Sequence, residues 1–180
     1  SEDSELTGGN ASPYALSKLK MEEAAGKLVV SGLDCVIARP FNHIGPGQES
    51  GFLLPDLYEK IRNLQDSQSA IKVGDLSTRR DYTDVRDVVK AYAGLVAAKK
   101  LNYKVYNICS GKSTSGKEIL DLLSISSGSQ GIDVEQDASL IRPSDPREIY
   151  GSYERLKSDI GWMPQIPLAK TISDFVSAHS

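Results

Sequence analysis

The sequence predicts an α/β fold with parallel strand pairing, and three observations carry that expectation. Helical patterns and short apolar runs alternate from one end of the chain to the other, the order in which crossover helices link parallel strands. The apolar runs are continuous rather than alternating, as in Asp34-Cys-Val-Ile-Ala-Arg39, which suits strands covered on both faces. Helix punctuation stands between them, with Ser12-Pro13 as a cap followed by a first-turn proline and Gly32 as a stop.

Taken in order, the first helix is expected from Pro13 to about Val30 and the first strand over Asp34 to Arg39. Pro40 to Gly51 holds two prolines and three glycines and reads as a loop without a regular element. Leu54 to Leu64 reads as a helix, and Ile71 to Val73 and Arg80 to Thr83 as strands. Asp84 or Asp87 caps a helix through Ala98 that turns Val88, Val89, Tyr92, Leu95 and Val96 toward a core. Val105 to Cys109 is a strand, Gly116 to Leu123 a helix, and the Ser- and Gly-rich stretch from Ser124 to Gly131 a loop. A strand near Val134 and helices at about Tyr153 to Ile160 and Leu168 to Ala178 complete the pattern.

Composition narrows the partners. The 180 residues carry 21 Lys+Arg against 24 Asp+Glu, a formal net charge of -3. That balance gives no basic field for nucleic acid, so an anion site must be made of a few placed cations. The apolar runs are too short to span a bilayer, and no membrane partner is expected. Cys35 and Cys109 stand in apolar stretches with no Cys-x-x-Cys spacing; they read as reduced core thiols of a cytoplasmic protein. His43 and a solvated, terminal His179 are the two histidines, too few for a histidine-rich metal site.

Three segments carry candidate chemistry. Tyr14 and Lys18 lie one helical turn apart on one face. An ammonium near a phenol favours the phenolate, a usable proton acceptor or donor at a carbonyl or alcohol, although the spacing alone also fits an ordinary solvated helix. Asn42 and His43 stand on the Pro/Gly-fixed loop directly after a strand, where open α/β sheets bind ligands; a ligand-free loop is the plain alternative. Arg79 and Arg80 are adjacent in a strand and so point to opposite faces. At most one faces a given pocket, and a guanidinium fork there suits a diphosphate, while surface pairing with Asp81, Asp84 or Asp87 is the alternative. Arg142 and Arg147 form a second such cluster. Gly111-Lys-Ser-Thr-Ser-Gly-Lys-Glu118 imitates a phosphate loop, but Glu118 stands where Ser or Thr is needed, and Ser115-x-x-Glu118 reads instead as a capping box.

Taken together, Ser-Pro-Tyr-Ala-Leu-Ser-Lys, Ala-Arg-Pro-Phe-Asn-His-Ile-Gly-Pro-Gly, Arg-Asp-Tyr-Thr-Asp-Val-Arg-Asp-Val, Tyr-Asn-Ile-Cys-Ser-Gly, Arg-Pro-Ser-Asp and Asp-Ile-Gly-Trp span almost the whole chain. In this order they resemble the extended short-chain dehydrogenase/reductase family of nucleotide-sugar epimerases, dehydratases and reductases. The branch of GDP-mannose 4,6-dehydratases and GDP-4-keto-6-deoxymannose reductases is the most similar. Gln48 after Gly-Pro-Gly looks more like the reductases, because that dehydratase has arginine there.

The resemblance implies the C-terminal part of a Rossmann-type parallel sheet plus a small α/β substrate-binding domain. Residues 1–45 would end the NAD(P)-binding domain. Residues 46–180 would be mainly the sugar-nucleotide domain, with about 80–110 returning to the Rossmann sheet. Tyr14 would be the catalytic acid/base and Lys18 would hold the nicotinamide ribose, with Pro40 and His43 at the cofactor, NADP or NAD. Asn42, Arg80, Arg142 and Asp145 would bind a GDP- or other nucleotide-linked sugar, the two arginines at its diphosphate and Asp145 at its ribose. The implied reaction is NADPH-dependent reduction of the C4 ketone of a GDP-4-keto-6-deoxyhexose; the alternatives are a 4,6-dehydratase, a 4-epimerase or a non-catalytic sugar-nucleotide-binding fragment. A homodimer through a four-helix contact containing the tyrosine helix is also implied. No Gly-x-x-Gly-x-x-Gly loop follows any strand and thirteen residues precede Tyr14, so the chain is expected to be the later half of such an enzyme, without tight NAD(P) binding or turnover alone.

Overall fold

The computed structural model describes residues 1–4, 13–64, 70–129, 131–141 and 145–180. Helix α1 spans Pro13–Val30, while its expected cap, Ser12, lies outside the described residues. Gly32 stops it at φ 97°, a conformation that costs a residue with a side chain more than it costs glycine. Strand β1 (Ile37–Pro40) follows, then β2 (Asn42–Ile44), helix α2 (Leu53–Arg62), β3 (Ala70–Val73), β4 (Arg79–Asp84), α3 (Val85–Ala97) and β5 (Val105–Ile108). The rest of the chain forms β6 (Ser113–Ser115), α4 (Gly116–Ser127), β7 (Asp133–Gln136), β8 (Glu148–Ile149), α5 (Glu154–Ile160) and α6 (Leu168–Ala178).

Parallel pairing dominates, as the alternation of elements requires. Strand β1 runs beside β5, β2 beside β4, and β3 beside β7, all parallel. Strand β4 also takes β6 antiparallel and β8 parallel, so Arg79 and Arg80 sit in the middle of a small mixed sheet. Strands β6 and β8 carry no apolar alternation (Ser-Thr-Ser and Glu-Ile) and are defined by β4 rather than by their own pattern.

Several expectations need correction. The Pro/Gly stretch does contain a regular element. Residues 42–44 lie between Pro40 and Pro46, keep their N–H groups, and find a partner in β4. Strand β1 is half-buried rather than covered on both faces, with β5 as its one strand neighbour among the described residues. Helix α3 buries Val88, Ala91 and Leu95, whereas Val89, Tyr92 and Val96 are exposed. Those three form the adjacent stripe at the same 3.6-residue period, a quarter-turn from the buried one. Ser124 to Ser127 continue α4, because the Ser124 and Ser127 hydroxyls donate to the Leu120 and Ser124 carbonyls and the helix ends only at Gly128. His179 is half-buried: its ring lies 4.2 Å from that of Phe175, and Nδ1 is 2.8 Å from the Phe175 carbonyl.

The caps are those the residues announce. Asp84 accepts the Arg86 N–H at the start of α3, and the Ser115–Glu118 box closes the start of α4 on itself. Asp87 is buried instead, where it accepts the Gln165 and Ile166 N–H groups. Two apolar cores result. One gathers Leu54, Leu57, Ile119, Leu123, Ile172 and Phe175 from α2, α4 and α6. The other joins α3, β5 and α5 through Val88, Leu95, Tyr106, Ile108, Leu156 and Trp162. Cys109 is buried and Cys35 half-buried, both as free thiols; burial first, and then the Asp81 charge, push the Cys109 thiol up to about 12. No helix among the described residues is long and apolar enough to cross a membrane.

Candidate functional site

Where β1 ends and β2 begins, the chain opens a cavity of about 650 Å³. Tyr14, Pro40, Asn42 and His43 all line it, together with Tyr82 of β4 and Leu53 of α2. Tyr14 stands in the first turn of α1 and is 71% exposed. Lys18 follows one turn later, with Nζ over the Tyr14 ring at 5.3 Å from its centroid. Helix α1 buries no residue, and a two-point ion pair helps to hold it against β1. Arg39 Nε and Nη2 donate to the two carboxylate oxygens of Glu22 at 2.8 and 2.6 Å. This bond raises the Arg39 pKa, against the opposing effect of burial.

The His/Asn strand is held closely. A Cβ on Gly45 would lie 2.7 Å from Val85 Cγ1, so the end of β2 meets the start of α3 only because residue 45 has no side chain. His43 Nδ1 is 3.1 Å from the Phe41 carbonyl. A carbonyl only accepts, so Nδ1 carries the proton in this contact, leaving Nε2 as the other functional nitrogen.

Strand β4 extends the site away from the tyrosine. Alternation puts Arg80 and Tyr82 on one face and Asp81 and Thr83 on the other. Tyr82 is paired in register with Asn42, where β2 and β4 run side by side. Burial pushes the Tyr82 phenol up, with the neighbouring Asn42 side chain and the Arg80 charge opposing it and the Asp145 charge adding to it. Arg80 is 12% exposed and donates from Nη2 to Asp145 Oδ1 at 2.5 Å. Arg79, on the opposite face of the strand, is taken up by Glu118 at 2.9 Å and by the Ser113 carbonyl; both arginines are acid-paired, and alternation makes Arg80 the one on the Tyr82 face.

Tyr14, Pro40, Asn42 and His43 thus share one cavity with Lys18 a turn behind, and Arg80 and Asp145 are paired next to its Tyr82 wall. Arg142 lies outside the described residues. Tyr82 and Asp81 are additions the motifs alone did not single out. Asp81 is 1% exposed and accepts the Ser110 N–H and Oγ–H, the Gly111 N–H and the Gly151 N–H, which ties the segments after β5 and β8 to the strand carrying Arg80. The β alternation that separates Arg79 from Arg80 was the available signal for Tyr82.

The tyrosine–lysine helix, the strand-end cavity and the parallel sheets define a member of the extended short-chain dehydrogenase/reductase class. Residues 2–175 match the family described as GDP-mannose 4,6 dehydratase, and the chain belongs to that family. It is 33% identical over 176 residues to GDP-6-deoxy-D-mannose reductase of Pseudomonas aeruginosa, covering 96% of this chain and 57% of that protein. The structure of RMD from Pseudomonas aeruginosa complexed with NADPH superposes with a TM-score of 0.82 at 33% identity, covering 93% of this chain and 56% of the other. UDP-glucose 4-epimerase of Thermotoga maritima with UDP-glucose gives a TM-score of 0.81 at 26% identity, over 94% and 53% of the two chains. The chain therefore spans about half the length of the relatives it matches.

Proposed function

We propose that the protein carrying this chain is an oxidoreductase of nucleotide-linked sugars that reduces the C4 ketone of a GDP-4-keto-6-deoxyhexose with NADPH. The observation that carries this reading is the single cavity shared by Tyr14, Asn42 and His43, with Lys18 one turn behind and Arg80 beside its Tyr82 wall. The Pseudomonas aeruginosa reductase and the NADPH complex support the chemistry and the cofactor.

The residues present fit one end of NADP or NAD. Tyr14 and Lys18 are both exposed, and Tyr14, Pro40 and His43 open onto the same cavity, so Lys18 would hold the ribose and Pro40 and His43 the nicotinamide end. The bound cofactor supplies the hydride. Tyr14 donates its phenolic proton to the C4 oxygen as the alkoxide forms, and the Lys18 ammonium stabilises the phenolate left behind. Asn42 holds the sugar. Arg80 meets the diphosphate with its guanidinium fork, Arg142 is a second grip, and Asp145 lies at the ribose.

Residues 1–45 then belong to the cofactor side and 46–180 mainly to the sugar-nucleotide side, with about 80–110 returning to the cofactor side. The parallel pairing of β1 with β5 supports that return. Assembly as a homodimer through α1 is supported by its exposed Leu16, Met21, Leu28 and Val30, and a cytoplasmic location by the two free thiols.

The family match favours 4,6-dehydration as the second reading, and one pair of assays separates the two. NADPH is expected to be consumed when a GDP-4-keto-6-deoxyhexose is supplied. Formation of that ketone from GDP-mannose without net NADPH use overturns the reductase reading.

A further inference from the structure

We infer that Arg39 is a positioning residue for the cofactor side of the site: by holding both carboxylate oxygens of Glu22 it keeps that acid from capturing the Lys18 ammonium, which is left to Tyr14 and the cofactor ribose. The inference rests on the reading of Lys18 as the ribose contact. Tyr14, Lys18 and Glu22 follow one another at four-residue steps along α1, so they form one row on the helix surface. Lys18 therefore has a phenol one turn before it and a carboxylate one turn after it. The other residues three and four positions from Glu22 within the helix are Leu19, Ala25 and Gly26, none of them charged.

The structure resolves this competition in favour of the tyrosine. Lys18 Nζ stands 5.3 Å from the centre of the Tyr14 ring. Glu22 Oε1 accepts from Arg39 Nε at 2.8 Å and Oε2 from Arg39 Nη2 at 2.6 Å, a forked geometry that a single ammonium does not match. The arginine is anchored independently of α1. It stands in β1 in register with Asn107 of β5, its remaining nitrogen donates to the Glu2 carbonyl at 3.2 Å, and the Glu2 carboxylate accepts the Asn107 N–H. Arg39 and Glu22 are 20% and 25% exposed, so water screens this pair less than it screens a pair on an open helix face. Without the guanidinium, Glu22 keeps a partly buried charge that needs a cation, and Lys18 is the cation in its own row.

NADPH binding, followed by cofactor fluorescence in the protein carrying this chain, tests the inference. Arg39→Met is expected to weaken NADPH about two- to fivefold, the worth of one partly screened ion pair drawn away from the cofactor. Adding Glu22→Gln to that variant removes the rival carboxylate and is expected to restore the native affinity. With Lys18→Ala already in place, Arg39→Met is expected to add no further loss. A purely structural role for the ion pair predicts neither result: a smaller folded fraction lowers the amount of NADPH bound at saturation and leaves the dissociation constant where it was, and removing Glu22 as well restores no link between α1 and β1. Arg39→Lys covers one carboxylate oxygen and leaves the other open; it is expected to give the same pattern at smaller amplitude, and it serves if Arg39→Met does not fold. Unchanged affinity in Arg39→Met, no recovery on adding Glu22→Gln, or an equal loss from Arg39→Met with and without Lys18 overturns the inference, while weaker binding in Lys18→Ala leaves the cofactor reading standing. Unchanged NADPH affinity in Lys18→Ala overturns that reading and the inference with it.

Discussion

Tyr14→Phe is expected to lower kcat by about 10²- to 10⁴-fold, the range that a positioned proton donor supplies, with nucleotide-sugar affinity nearly unchanged. The substitution removes one hydroxyl from a side chain that is 71% exposed, on a helix that buries no residue. Its effect on folding is therefore small, and a loss of turnover reports chemistry. The ring stays in place for its contact with Lys18. The measurement is NADPH consumption in the protein carrying this chain, with and without the phenol, alongside a titration of the sugar nucleotide. Equal turnover in the two proteins contradicts the role given to Tyr14.

Asp81→Ala is expected to have the largest effect on stability, a loss of about 3 kcal/mol or more, because it strands several donors in the interior. The carboxylate accepts from three backbone N–H groups, those of Ser110, Gly111 and Gly151, and from the Ser110 hydroxyl. Relaxation around the gap is limited. A Cβ on Gly151 would lie 2.6 Å from Phe41 Cζ and 2.9 Å from Cys109 Sγ, so the backbone at residue 151 already runs in contact with both side chains. Water has little space to enter and take over the lost bonds. Urea unfolding of the native and substituted chains measures the difference, and a change below about 1 kcal/mol would show that the donors find other partners.

The same residues show what was legible in the sequence. The α/β order, α1 and its stop at Gly32, the Asp84 cap and the Ser115–Glu118 box were legible because each rests on local chemistry: a period, a side-chain acceptor, a residue that tolerates positive φ. Tyr14 was marked by its spacing to Lys18 on one helix face, and Asn42 and His43 by their place directly after a strand; all three line the cavity. Strands β6 and β8 were not, since two or three polar residues become a strand only when β4 supplies the partner. The exposed stripe of Val89, Tyr92 and Val96 was misread for a related reason: apolarity marks a helix face as fit to be covered, and what covers it is decided by tertiary packing. Asp81 looked like a surface partner for the arginines. Burial among N–H donors makes it the clip of three chain segments instead, and no pattern in Arg-Asp-Tyr-Thr announces donors that arrive from residues 110, 111 and 151.

Arg80 and the Tyr14 cavity are expected to receive one ligand, a nucleotide-linked sugar. Calorimetric titration of GDP-mannose into the chain, native and Arg80→Ala, tests it most directly. Saturable binding that the substitution weakens by about 1–3 kcal/mol is the expected result, the value of a charge-assisted bond to phosphate. Absence of binding, or binding that Arg80→Ala leaves unchanged, would contradict it.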